Sequence, residues 1–137
     1  MDDVLKLSNQ LCFPLYVAAK EMVGGYKPFL DDIGLTYTQY ITMMALWEHK
    51  QATVKALGEW LYLDSGTLTP LLKRLEGKGL VRRERSKEDE REVMVALTEQ
   101  GEGLKAQAEE ISRKLAECMP LSAKEAGVLY RLLYQLI

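Results

Sequence analysis

Residues 61–92 read LYLDSGTLTPLLKRLEGKGLVRRERSKEDERE, and the change of period inside this stretch decides the fold. Asp64 is a good helix N-cap, because a short side-chain oxygen can take one of the unpaired N–H groups of a first turn. Leu68, Leu71, Leu72 and Leu75 follow at helical spacing on one face, and GKG at 77–79 ends the helix. The pattern then changes: LVRRE and EVMVAL read as two short strands joined by the charged RSKEDER, a hairpin with an exposed tip. With the leucines inward, the outer helix face is centred on Gly66, Pro70 and Lys73 and flanked by Thr67, Thr69 and Arg74, with Ser65 at its start. Small, hydroxyl-bearing and basic side chains are what a helix needs to approach a major groove closely and bond base edges and phosphates. Pro70 in a helix interior normally costs about 3 kcal/mol, but the carbonyl its ring crowds belongs to Gly66, whose backbone has freedom to adjust.

Working outward, a helix after Thr36 runs through TQYITMMALWEH and another spans roughly 53–61. Two short helices, a helix with a polar outer face and a charged hairpin follow one another in the order of a winged helix-turn-helix, here residues 36–97. Arg85, Lys87 and Arg91 lie at or near the hairpin tip, where an arginine can enter a narrow minor groove. Asp89 stands two residues before Arg91 and offers the other use for it, an ion pair that holds the wing rigid.

Charge supports this reading in its distribution rather than its sum. The 137-residue chain carries a net −2, yet residues 73–87 hold seven basic and two acidic side chains, a local +5 against −7 elsewhere. Phosphate binding depends on where the positive charge sits. The length suits one domain burying roughly two thirds of its unfolded surface. No apolar run approaches the roughly 18 residues of a membrane span, and the polar, acidic MDDVLKLSNQ does not resemble a secretory leader. The expected compartment is therefore the cytoplasm, where thiols stay reduced. Two cysteines and one histidine cannot furnish a four-ligand zinc site, no cofactor is expected, and His49 reads as a surface or helix-terminal residue.

Both chain ends are helical and apolar. Val4, Leu7, Leu11, Leu15, Ala18 and Met22 form a stripe that Pro14 interrupts, so this helix should kink near residues 10–14 or begin there. GGYKP at 24–28 should weaken it, and DDIG at 31–34 marks a turn. Thr98 caps a long helix to about Met119, whose Leu104, Ala108, Ile111, Leu115 and Cys118 approach a heptad seam that wants a partner helix. Ser122 with Glu125 makes a capping box for a last helix crowded with leucines. The expected architecture is a single mainly α domain with a small β-hairpin wing, in which residues 1–35 and 98–137 form a homodimerisation region.

The other singular stretch is NQLCFPLY at 9–16, which places Cys12 in an apolar run with Tyr16 one turn on. Taken alone, Cys12 is a core thiol and the tyrosines are core or interface residues. The 61–92 stretch followed by VALTEQG at 95–101 resembles the MarR family of winged-helix repressors, and NQLCFPLY with IGLTYTQY at 33–40 is similar to its branch of organic hydroperoxide resistance regulators. The resemblance implies a repressor of double-stranded operator DNA, not an enzyme. Cys12 would be the thiol that an organic hydroperoxide oxidises to a sulfenic acid. Tyr26 and Tyr37 would hold the reduced thiol from the partner subunit, with Tyr16 lining the same pocket. Hydroxyls donating to a sulfur favour its anion, the reactive form. Cys118 lies where two-cysteine members carry the thiol that resolves the sulfenic acid, and a small cellular thiol is the rival partner. Two other functions fit part of the sequence: a thiol peroxidase using both cysteines, and a repressor released by a reversible aromatic ligand.

Overall fold

The computed structural model describes residues 3–137; Met1 and Asp2, the start of the stretch read for a leader, lie outside the described residues. A 3-10 turn at Leu7–Asn9 leads into helix α1, Cys12–Asp32. Pro14 therefore sits in the first turn, where a missing N–H costs nothing, and of the two outcomes expected there the helix begins rather than kinks. Val4, Leu7 and Leu11 consequently precede α1 instead of extending its stripe. The expected weakening at GGYKP does not occur: α1 runs on through Gly24, Gly25 and Pro28. The carbonyl that Pro28 crowds is that of Gly24, where even an added Cβ would meet nothing within 4 Å. The chain thus uses one device twice, a glycine four residues before each mid-helix proline.

The expected turn follows, with Gly34 at φ +70° and the Leu35 N–H donating back to the Leu30 carbonyl at 3.1 Å. Thr36 and Gln39 then cap α2, Tyr37–His49, reciprocally. Strand β1, Gln51–Thr53, escaped the sequence reading. Helix α3, Val54–Leu61, is capped by Thr53, and α4, Ser65–Gly77, by Asp64, whose carboxylate accepts from the Thr67 N–H at 2.7 Å. Strands β2, Val81–Arg85, and β3, Val93–Leu97, are the expected hairpin shifted by about one residue; the sheet is antiparallel in the order β1-β3-β2, with Arg83 opposite Val95.

The expected helix from Thr98 to Met119 is divided into α5, Glu99–Gly103, and α6, Lys105–Glu117. The Gly101 carbonyl accepts from Trp47 Nε1 at 2.9 Å and from the Leu104 N–H three residues on, which tightens the turn there. Gly101 is obligatory at this crossing, since a Cβ would stand 2.1 Å from the Leu80 carbonyl oxygen. The last helix is α7, Ala123–Tyr134, with the Ser122–Glu125 capping box in place.

One core holds these elements together. Met43, Leu46, Leu57, Leu68, Leu72, Leu75, Val81 and Val95 are fully buried or nearly so, and each leucine expected on the inner face of α4 is among the core. The α6 stripe joins them: Ala108 and Ile111 are buried, with Leu104 and Leu115 packed alongside. The seam that seemed to need a partner helix is thus occupied inside the protomer. Helix α7, by contrast, buries none of its residues.

Candidate nucleic-acid interface and thiol site

The outer face of α4 is built as the leucine stripe dictates. Ser65, Gly66, Thr67, Pro70, Lys73 and Arg74 are exposed, and Thr69 is half-buried at the edge of a notch. The N-cap hydrogen bond to Thr67 holds the Asp64 carboxyl below the usual carboxylate range. The notch, about 330 Å³, opens between the start of α3, the flank of α4 and the hairpin, and is lined by Thr53, Lys55, Thr69, Arg83 and Arg91 among others. Lys55 and Thr53 were missed by sequence reasoning, because their helix shows no basic run of its own; only folding brings them beside the arginines.

In the hairpin Asp89 and Arg91 do pair, with Nε 3.2 Å from Oδ1, and bonds from the Arg91 backbone and guanidinium hold the Asp89 carboxyl low. The Arg91 side chain nevertheless stays 92% exposed. An exposed pair of this kind contributes little to stability. Arg85 is partly committed to the wing itself, donating to the Glu90 carbonyl at 2.9 Å, while Lys87 is exposed at the tip. At the wing base Glu76 accepts the Arg83 backbone N–H at 3.1 Å and its guanidinium, which lowers the Glu76 pKa and locks β2 onto α4.

The thiol site is divided. Tyr26 of α1 and Tyr37 of α2 meet edge to face, ring centroids 5.3 Å apart, and Tyr40 completes the cluster at 5.6 Å from Tyr26. Burial first, and then the neighbouring Tyr26, push the Tyr37 hydroxyl above its ordinary pKa of 10. Tyr40 rises for the same two reasons, partly opposed by a hydrogen bond with Ser112. Both therefore keep their protons at neutral pH and can donate. Tyr40 went unnoticed in the sequence because it occupies a core position of α2.

Cys12 and Tyr16 are exposed in the first turns of α1, Tyr16 with the Lys20 ammonium 5.7 Å from its ring centre. Fourteen residues of helix separate Cys12 from Tyr26, about 21 Å at 1.5 Å per residue, far beyond the reach of the two side chains. Cys118 is not buried on the α6 stripe as its spacing suggested: it is the exposed C-cap of that helix. There it lines a cavity of about 490 Å³ together with Met22, Tyr26, Ser112 and Leu115. Tyr26 thus faces both the tyrosine cluster and the space beside Cys118.

A capped helix with a basic, hydroxyl-bearing face, packed on leucines and flanked by an arginine-rich hairpin, is the reading head of a winged-helix DNA-binding regulator. Transcriptional regulators of the SarA/Rot type match over residues 25–108. The organic hydroperoxide resistance transcriptional regulator of Bacillus subtilis is 50% identical over 135 residues, covering 98% of this chain and 92% of its own length. SarZ of Staphylococcus aureus is 48% identical over 121 residues, 88% of this chain and 82% of its own. Among solved structures, reduced AbfR bound to DNA superposes with a TM-score of 0.82 at 36% identity, covering 95% of this chain and 91% of that one. AbfR has also been solved in a disulfide form, which superposes less closely, at 0.69. The chain belongs to the MarR-type winged-helix transcriptional regulators, in the branch of the organic hydroperoxide resistance regulators. Its fold and its relatives are those of regulators and not of enzymes, which removes the thiol peroxidase reading.

Proposed function

We propose that this regulator is a homodimeric repressor whose grip on operator DNA is released when an organic hydroperoxide oxidises Cys12. The observation that carries the reading is the division of the thiol site. Cys12 is exposed at the start of α1, and the cluster of Tyr26, Tyr37 and Tyr40 lies about 21 Å further along the helix. A second protomer supplies what each half lacks: its Cys12 meets Tyr26 and Tyr37 of the first. Unpartnered apolar surface lies where such a protomer would sit. Val4, Leu5, Leu7 and Leu11 before α1, and Val128, Leu132, Leu136 and Ile137 in and after α7, are all exposed. Residues 1–35 and 98–137 are the dimerisation region in this reading, with the α6 stripe excepted, and 36–97 the DNA-binding unit. The compartment that suits a reduced thiol and a DNA target is the cytoplasm.

On DNA, Ser65, Gly66, Thr67, Thr69, Pro70, Lys73 and Arg74 face the major groove, and Arg85, Lys87, Asp89 and Arg91 place the wing at the minor groove. The two recognition helices of the dimer then address half-sites about 34 Å apart. In the sensing step the Cys12 thiolate attacks the distal oxygen of the hydroperoxide; the O–O bond breaks, and the alkoxide leaves and takes up a proton to become an alcohol. The sulfur is now a sulfenic acid, and the hydrogen bonds that held its anion are lost. The Cys118 thiol, beside Tyr26, attacks this sulfur across the dimer and expels water, giving a disulfide. A small cellular thiol performs the same step as a mixed disulfide. Movement of the elements carrying Tyr26 and Tyr37 changes the spacing of the recognition helices, and the operator is released.

One feature favours a second reading, release by a reversible aromatic ligand. A cavity of about 380 Å³ lies between α2 and α6, lined by Tyr40, Met44, Trp47 and Ala108, with Lys105 and Glu109 at its edge. The test separates the two. Binding of operator duplex is titrated by fluorescence anisotropy with wild type and Cys12→Ser, each with and without a slight excess of cumene hydroperoxide. Release by wild type alone is expected; equal behaviour of both proteins sinks the redox reading and returns attention to the cavity.

A further inference from the structure

We propose that Lys78 is the residue that carries the state of the tyrosine site to the recognition helix. The inference rests on the redox reading above and supplies the link that reading lacks. Lys78 is the C-cap of α4, its own N–H donating to the Arg74 carbonyl at 3.0 Å, and Gly79 at φ +76° turns the chain immediately after it. The Lys78 backbone therefore moves with α4 and with Lys73 and Arg74 on the turns above.

Its side chain leaves the reading head altogether. The ammonium donates to the Gly34 carbonyl and, at 3.0 Å, to Gln39 Oε1, groups 44 and 39 residues away in sequence. The Gly34 carbonyl belongs to the turn between α1 and α2 and Gln39 to the first turn of α2, so the two acceptors stand on either side of Tyr37 in the chain. Gln39 is only 4% exposed, and its amide oxygen also accepts the Thr36 N–H at 3.1 Å to close the α2 capping box. One oxygen thus fixes the backbone on which Tyr37 is carried and the end of the recognition helix. Among the described residues these are the side-chain hydrogen bonds that join the 33–40 segment to α4. Of the other polar ties of α2 and the residue after it, Trp47 to Gly101 and Lys50 to Glu102 lie at the far end and lead to α5, and Tyr40 to Ser112 leads to α6; none reaches α4.

The consequence is mechanical. Tyr37 packs on Tyr26 of α1, so a rearrangement at the thiol displaces the turn that holds it. Because Lys78 holds the turn at Gly34 and the start of α2 at Gln39, displacement of this segment pulls on the C-terminal end of α4. The remaining contact between these parts is apolar packing, which tolerates sliding better than a directed double hydrogen bond. Lys78 is a positioning residue here: its role is to couple the turn to α4, whereas a DNA contact would act equally in both redox states.

The experiment compares operator affinity of the reduced and the hydroperoxide-oxidised dimer for wild type, Lys78→Met and Gln39→Glu, with the mass of the Cys12 adduct recorded for each. Glutamate at position 39 still closes a capping box and meets Lys78 as an ion pair. The expected result for Lys78→Met is Cys12 oxidation at the wild-type rate with the ratio of oxidised to reduced Kd reduced at least tenfold. Gln39→Glu should keep that ratio at or above the wild-type value. A Lys78→Met dimer that releases DNA as wild type does, or that loses affinity by the same factor in both states, overturns the proposal while leaving the sensor intact. Wild type that stays bound with Cys12 fully oxidised overturns the proposal and the redox reading together.

Discussion

The two working parts of this chain differ in how nearly complete they are within one protomer. The reading head is finished: α4 is capped by Asp64, seated on four buried leucines and clamped to β2 by Glu76 and Arg83. The thiol site is not. Cys12 stands at the start of α1, far along the helix from Tyr26 and the α2 tyrosines packed on it, and α7 buries nothing. A surface that must recognise a fixed duplex benefits from being rigid before it arrives. A switch that must act on two reading heads at once is better made from pieces of both subunits, because breaking it then changes the relation between them.

Substitutions should reveal this asymmetry most strongly in stability. Leu72→Ala, in the finished half, should cost about 2–5 kcal/mol whatever the protein concentration. Leu132 of α7 is 46% exposed, so Leu132→Ala should leave the protomer nearly unchanged and weaken association instead. Its thermal midpoint should then depend more steeply on protein concentration than that of wild type. Equal, concentration-independent losses in the two variants would erase the distinction.

A smaller effect is expected on the finished surface itself. Lys73→Ala should weaken binding to every duplex by a similar factor and lower the slope of log affinity against log salt by about 1, as for one lost phosphate contact. Sequence preference should survive. A salt slope identical to that of wild type would remove Lys73 from the interface.

The smallest effect concerns the tyrosines. Tyr37 is held protonated in the fold, so its contribution to stability is complete below pH 10, the ordinary tyrosine value. The contribution is lost as pH rises through the higher folded value, since the unfolded chain ionises first. Urea midpoints measured at about pH 9 and about pH 11 should fall further for wild type than for Tyr37→Phe.

The same asymmetry explains what was legible in the sequence. The reading head is encoded locally: a cap, a leucine stripe, a GKG stop and alternating strands lie within some forty residues, and the structure moves its strands by only about one residue. Strand β1 was illegible because three residues carry no period, and it exists only through pairing of Gln51 with Ala96. The break between α5 and α6 depends on Trp47 reaching the Gly101 carbonyl, 54 residues away. The α6 stripe was read correctly as apolar, but its packing on the core of its own protomer was not legible, since periodicity cannot distinguish a helix of the same chain from one of another. Cys118 fell on that stripe by spacing, yet the helix ends at it and leaves it exposed. Resemblance pointed to Cys12, Tyr16, Tyr26 and Tyr37; the distance along α1 between Cys12 and Tyr26, Tyr40 beside Tyr26 and the hydrogen bonds of Lys78 required the fold.

A thiol site completed between subunits is tested most directly by a mixed dimer. Cys12→Ser protomers, with their tyrosines intact, are paired through two affinity tags with Tyr26→Phe/Tyr37→Phe protomers that retain Cys12. The rate of Cys12 oxidation by a limiting hydroperoxide is then followed by mass spectrometry. If the tyrosines act across the dimer, the single Cys12 faces an intact cluster and oxidises at the wild-type rate, while the homodimer lacking the tyrosine hydroxyls is slow. Equally slow oxidation in the mixed dimer would place the tyrosines and the thiol in the same subunit and contradict the account.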